Sequence, residues 1–170
     1  MAGNKYLSNN AGTITEVHGT QVSAGGANAN QIPALNASGV FDTSLLPTGI
    51  GADTAQIVAS EALSAGAFVN VWNNSSAFNV RNADGSTSGK EAHGFVLAAV
   101  SSSGTATVYF AGTNNAVTGV TAGVQYLSSS AVGGFSSTAP SGSGQTVQRL
   151  GVGTTSTAID FNRQTPIVLA

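Results

Sequence analysis

No cysteine occurs in this chain. Disulfide staples, thiol catalysis and thiolate metal sites are thereby excluded. Charge is nearly as scarce. Asp, Glu, Lys and Arg make up 7% of the residues, against about 25% in an ordinary soluble protein. The few basic residues, Lys5, Arg81, Lys90, Arg149 and Arg163, do not cluster. Backbone recognition of nucleic acid needs several cations on one face, so no nucleic-acid partner is expected. No apolar run of about 18 residues exists to span a bilayer, and no membrane partner is expected. The first residues, Met1 to Lys5, lack the apolar stretch of a signal peptide. The expectation is therefore a chain made in a cytoplasm and carried elsewhere by something else.

What is present is glycine, serine, threonine, asparagine and alanine, with Val, Ile and Phe in short regular clusters. That is the composition of an all-β domain rich in tight turns. From residue 55 the pattern is sharp. Strand-like segments run over Ala55–Leu63, whose alanine content also permits a helix, and over Phe68–Trp72, Phe78–Arg81, Ala92–Val100, Thr105–Phe110, Gly123–Leu127, Gly134–Ser137, Thr146–Val152 and Thr157–Phe161. Ala92–Val100 is a nearly continuous apolar run and reads as a central strand, hairpinned to Thr105–Phe110. Pro166–Ala170 is an apolar tail without charge, expected to dock in a core or an interface. Strands every 8–12 residues without helices between them predict an all-β fold, a compact antiparallel β-barrel or sandwich, jelly-roll-like, over residues 55–170.

Residues 1–54 read differently, as an extended N-terminal arm. Two weak strands are expected near 5–8 and 13–18. Pro33 and Pro47 favour extended neighbours, and Asn36–Gly39 is turn chemistry. Ile32, Leu35, Val40, Leu45 and Leu46 are too large for a solvated linker, so the arm is expected to adhere to another subunit. Ile32, Leu35, Leu45 and Leu46 are the candidate contact residues.

Little in the sequence suggests catalysis. Two segments share Glu-x-His-Gly, Glu16–Gly19 and Glu91–Gly94. On a strand, residues i and i+2 share a face, so each Glu–His pair offers acid–base or ligand chemistry. The plainer reading is a Glu–His contact at a strand end, followed by a turn glycine. Asp84-Gly85 reads as a turn, and no calcium loop or nucleophile elbow is present. Trp72, Tyr109, Phe110 and Tyr126 are of a type to stack on sugars, but in such strands read as core. Asn36-Ala37-Ser38 and Asn73-Asn74-Ser75 match glycosylation acceptors and read as turns. No enzyme activity, catalytic residue, cofactor or metal is expected.

Several strings resemble those of tailed-bacteriophage virion proteins, of the capsid decoration (cement) or head-fibre type. In the first part they are Lys5-Tyr6-Leu7, Gly12–Val17, Ile32–Gly39 and Leu45–Thr54. In the second they are Ala65–Val71, His93–Leu97, Ala106–Phe110 and Gln148–Val152. The resemblance covers most of the chain and carries no catalytic residues to transfer. It implies a structural virion protein on the outer capsid surface, assembled in the host cytoplasm. Such a protein binds joints between subunits of the major capsid protein, commonly as a homo-oligomer, with a trimer favoured over a dimer. The competing reading is a tail-fibre or spike component that binds a host surface glycan. A shaft-forming fibre is not expected, because no repeats or heptads are present.

Overall fold

The computed structural model describes residues 5–46 and 51–170. They are strand, turn and irregular chain, with two single-turn 3-10 segments at Gly25–Asn28 and Thr43–Leu45. The chain divides into two compact units, one through Gly51 and one from Ala52 onward.

The N-terminal unit begins with a hairpin. Strand β1 (Lys5–Asn10) pairs antiparallel with β2 (Thr13–His18), with Tyr6 opposite Val17 and Asn9 opposite Ile14. Its two-residue tip, Ala11-Gly12, holds positive φ at both positions (50° and 91°). This is the conformation that matches strand twist in a tight hairpin. The amide of Gly12 donates to Asn9 Oδ1 at 2.8 Å, and Lys5 pairs with Glu16 across the strands. Both strands foreseen in the sequence are present, the first longer than expected.

Beyond the hairpin, side chains and single backbone pairs hold the chain. Thr20 bridges Pro33 in parallel: its amide donates to the Ile32 carbonyl, and its carbonyl accepts from Ala34. Asn36 Oδ1 accepts from the amides of Ser38 and Val40, closing the turn expected at Asn36–Gly39. Asp42 caps the second 3-10 turn by accepting from the Ser44 amide at 2.9 Å. None of the described side chains in this unit is buried.

The C-terminal unit contains a closed barrel of β3 (Thr54–Ala59), β4 (Phe68–Asn74), β5 (Ala77–Asn82), β6 (Gly94–Phe95) and β7 (Thr105–Tyr109). The order around the barrel is β3-β5-β4-β6-β7. Only the β3–β5 contact is parallel; the other pairs are antiparallel. A second, antiparallel sheet uses β8 (Gly112–Asn114), β9 (Gly123–Leu127), β10 (Phe135–Ser136), β12 (Arg149–Thr155) and β13 (Ala158–Phe161), ordered β10-β9-β12-β13-β8. A separate two-stranded sheet joins β11 (Thr146–Val147) to β14 (Ile167–Val168). The all-β fold read from the sequence is thus present, with antiparallel sheets and a closed five-strand barrel.

Period-two alternation sorts side chains into two cores. Val69, Val80, Val96, Ala106 and Val108 fill the barrel. Phe68, Phe95, Leu127, Leu150, Ile159 and Phe161 form a second core that unites barrel strands with the second sheet. Phe68 and Val69 are successive residues on β4 and belong to different cores, which shows the alternation directly. Phe95 stacks on Tyr109 (5.4 Å between centroids) and meets Phe161 edge-on at 5.6 Å.

Two strand expectations need correction, and a third, for the tail, is narrowed. Ala92–Val100 is not one strand hairpinned to β7. Only Gly94 and Phe95 are in a ladder. The run is satisfied piecemeal. The Gln148 side chain pairs with Ala92 through two hydrogen bonds, the His93 amide donates to Val69, Val96 exchanges with Gly66 and Ala67, and Val100 pairs with Leu63. Burial made the run apolar, and its partners break it up. Thr146–Val152 is likewise split at Gln148, whose buried side chain serves Ala92. The tail from Pro166 forms β14, but Ile167 and Val168 remain 64% and 54% exposed, rather than docked in a core of their own chain.

Candidate interaction surfaces

The four candidate contact residues occupy the irregular part of the N-terminal unit. Ile32 and Leu35 are 52% and 49% exposed. Their carbonyls accept from Thr20 and from Gln21 Nε2, so the chain carrying them is fixed while the side chains face out. Leu45 and Leu46 are half-buried at the Asp42-capped turn. Val22, Val40 and Phe41 add to the exposed apolar surface, as do Leu7 and Ile14 on the hairpin. Leu7 and Ile14 lie on the same hairpin face as the Lys5–Glu16 pair, by alternation from the register. Phe41 was not singled out in the sequence, although its place after the Asn36–Gly39 turn and beside Val40 was a usable signal. Asp42 is held below the ordinary carboxylate value of 3.8 by hydrogen bonds from the Ser44 side chain and amide.

The two Glu-x-His-Gly segments fall in different units. Glu16 is engaged by Lys5. Glu91 Oε1 lies 3.5 Å from His93 Nε2, and both side chains are partly exposed. His93 Nδ1 accepts from the Val71 amide at 3.0 Å. A ring nitrogen that accepts carries no proton, so in the neutral ring the proton sits on Nε2, facing Glu91. The pair therefore locks β4 to the chain entering β6. Gly94 is not a turn residue. It is buried at the start of β6, and a Cβ there would fall 2.5 Å from the Tyr109 carbonyl oxygen. Among the described residues no group of three or more His, Asp or Glu side chains is arranged to hold a metal ion.

The aromatics divide by face. Tyr109 packs on Phe95, and Phe110 packs against the barrel core. Trp72 donates from Nε1 to Ser60 Oγ, and its ring is covered by the Arg81 guanidinium at 4.5 Å. Arg81 is in turn held by Asn70 Oδ1 and the Gly89 carbonyl. Phe78 was read only as part of a strand, yet it is 83% exposed beside the β4–β5 tip. That tip is Ser75-Ser76, with φ of 52° and 72°, and Asn73 Oδ1 accepts from the Ser76 amide. Asn36–Ser38 thus belongs to a turn as expected, whereas Asn73 and Asn74 end strand β4 and only Ser75 of that triplet lies in the turn. Asp84 accepts from the Ser86 amide, as a turn aspartate does.

No protein-family model, curated protein or solved structure matches the chain.

Proposed function

We propose that this chain is a structural virion protein that decorates and stabilises a bacteriophage capsid, binding at joints between subunits of the major capsid protein. One observation supports the reading above the others. The described N-terminal unit is closely hydrogen-bonded yet buries none of its side chains, while Ile32, Leu35, Val40 and Phe41 are about half exposed. A pre-shaped segment with uncovered apolar side chains is suited to seating in pockets of a neighbouring protein. Completing the burial of each such side chain contributes about 1 kcal/mol, a fraction of the value for a fully exposed one. Several side chains per copy, over many copies, outweigh ordering costs by mass action. Catalysis has no part in this function, and no cofactor is required. Assembly takes place in the host cytoplasm, on the outer capsid surface, with the protein as a homo-oligomer.

The experiment is a binding assay on undecorated heads. Full-length protein should saturate them, and Ile32→Asp with Leu35→Asp should reduce occupancy at least tenfold, about 1.4 kcal/mol or more. Equal occupancy by this exposed double variant would refute the contact. A second reading, a tail-fibre component binding a host glycan, is favoured by exposed Phe78 at the barrel rim. Gold-labelled protein at tail tips, with none on heads, would select it.

A further inference from the structure

The barrel wall is well paired on one side of β7 and nearly open on the other. Strand β7 is in register with β3 from Thr105 to Tyr109, but with β6 only where Tyr109 faces Phe95. Two hydrogen bonds flanking the β3 ladder, Phe110 amide to Asp53 and Ala59 amide to Gly104, fix its phase. Antiparallel alternation then aims the backbone of Ala106 and Val108 at β3, and that of Thr105 and Thr107 away from it. On that far side no backbone group among the described residues pairs with them, because the chain after Phe95 departs toward Ala67 and Leu63. What lies there is a groove of about 250 Å³, lined by Leu97, Ala98, Ala99, Val100, Tyr109 and the two threonines. It contains no charged side chain.

The same unit carries a strand with the complementary defect. Strand β14 pairs with β11 on one side only. The Leu169 amide donates to Gln145, so alternation turns the backbone of Val168 outward, away from β11. Ile167 and Val168 are mostly exposed, and Pro166–Ala170 bears no charged side chain. An unpaired edge beside an apolar wall captures extended chain. An uncharged groove favours an uncharged strand, since a charge placed there would lose its water without gaining a partner.

We propose that β14 of one copy adds to the open edge of β7 in a second copy. Val168 exchanges backbone hydrogen bonds with Thr107, and Ile167 or Leu169 rests against the Leu97–Val100 wall. The contact is heterologous, edge to seam, so successive copies join head to tail, and a ring forms where the rotation between copies closes. The inference goes beyond the capsid reading and holds whichever particle carries the protein.

The absence of cysteine makes a clean test possible. Thr107→Cys and Val168→Cys, each on a separately mass-tagged full-length chain, are mixed and mildly oxidised. Mixed disulfides should exceed those of a control pair, Thr107→Cys with Thr155→Cys, by on the order of tenfold, because docking raises the local concentration. Adding Thr107→Pro to a wild-type background removes an amide that faces only the groove, and should shift the oligomer to monomer in sedimentation. Val168→Lys, at an exposed position, should do the same without lowering the unfolding midpoint measured at a dilution where both proteins are monomeric. Mixed disulfides at the control level, or an oligomer indifferent to Val168→Lys, would overturn the proposal and leave the groove to another protein.

Discussion

Truncating Phe95 should test the architecture of the C-terminal unit more severely than any other single change. The side chain is 1% exposed and touches both halves of the unit: Phe68 on β4, Tyr109 on β7 and Phe161 on β13. Its backbone lies in the ladders of both β4 and β7. Phe→Ala at a buried site costs about 3–5 kcal/mol. The upper part of that range is expected, because paired strands on both sides prevent the cavity from collapsing. Against a total stability of about 5–15 kcal/mol, the loss is a large fraction. With a urea m-value of about 2 kcal/mol/M, the midpoint should fall by about 2 M. The assay is equilibrium unfolding followed by fluorescence of Trp72, the single tryptophan, which sits on barrel strand β4. Phe78→Ala is the matched control, since the same atoms are removed from an 83% exposed position. It should change stability by no more than about 0.5 kcal/mol. A Phe95→Ala loss below about 1 kcal/mol, or equal losses for the two variants, would show that the two cores do not meet at Phe95.

Other perturbations give outcomes of different kinds. Gly66→Ala should cost more than about 2 kcal/mol in the same urea assay, because φ is +78° and the new Cβ would fall 2.3 Å from the Ala116 carbonyl oxygen. Gly89→Ala, also at positive φ but in open space, should cost about 1 kcal/mol and serves as its comparison. His93→Ala strips the Val71 amide of its acceptor and should cost about 1–3 kcal/mol, whereas Glu91→Gln should cost less than about 1 kcal/mol. The Asp42 carboxyl should titrate below 3.8 by NMR, with the Ser44 amide shift following it. Because the folded value is lowered, the stabilising contribution of this cap is present above 3.8 and is lost as pH falls through the folded value. Asp42→Asn should abolish that acid-side dependence.

Those parts of the fold in which one unbroken segment forms one strand were legible in the sequence. Thr105–Tyr109, Gly123–Leu127 and Phe68–Asn74 alternate because each strand separates two environments, and alternation is a local signal. Ala92–Val100 misled because its apolar character records burial and not ladder membership. Nothing local reveals that the amide of Gln148, far along the chain, takes the place of a strand beside Ala92. Strand β8 was invisible for the opposite reason. Gly-Thr-Asn is turn composition, yet Asn114 is fully buried and donates its side chain to the Gly66 carbonyl. The parallel β3–β5 contact, which closes the barrel, joins segments whose intervening strand is itself β5's other neighbour, and no periodicity encodes such an order. Among the surface candidates, exposed Ile32 and Leu35 were legible as residues too large for their polar surroundings. Phe78 was not, since a phenylalanine at a strand end looks the same whether the barrel covers it or leaves it out.

The scarcity of charge, which first set this chain apart, has a structural counterpart inside the C-terminal unit. Its buried polar side chains are amides and hydroxyls, Asn70, Asn79, Asn114, Gln125, Ser128, Thr146 and Gln148, with Asp84 the one ionisable member among the described residues. Several of these amides are bound to backbone at positions where ladders are interrupted, Asn70 to Glu91, Asn114 to Gly66 and Gln148 to Ala92, while Asn79 donates to the carbonyl of Val58, its partner in the short β3–β5 pair. An amide supplies a donor and an acceptor in the geometry of a peptide group, and it avoids the desolvation cost of a buried ion. Short, broken strands can therefore be satisfied without long-range ion pairs. The same economy leaves the outer surface with few charges to oppose close approach of neighbours. An uncharged β7 edge, an exposed β14 and an N-terminal unit with uncovered leucine and isoleucine then share one character, and under the two proposals above neighbouring chains would supply the cover that charge supplies elsewhere.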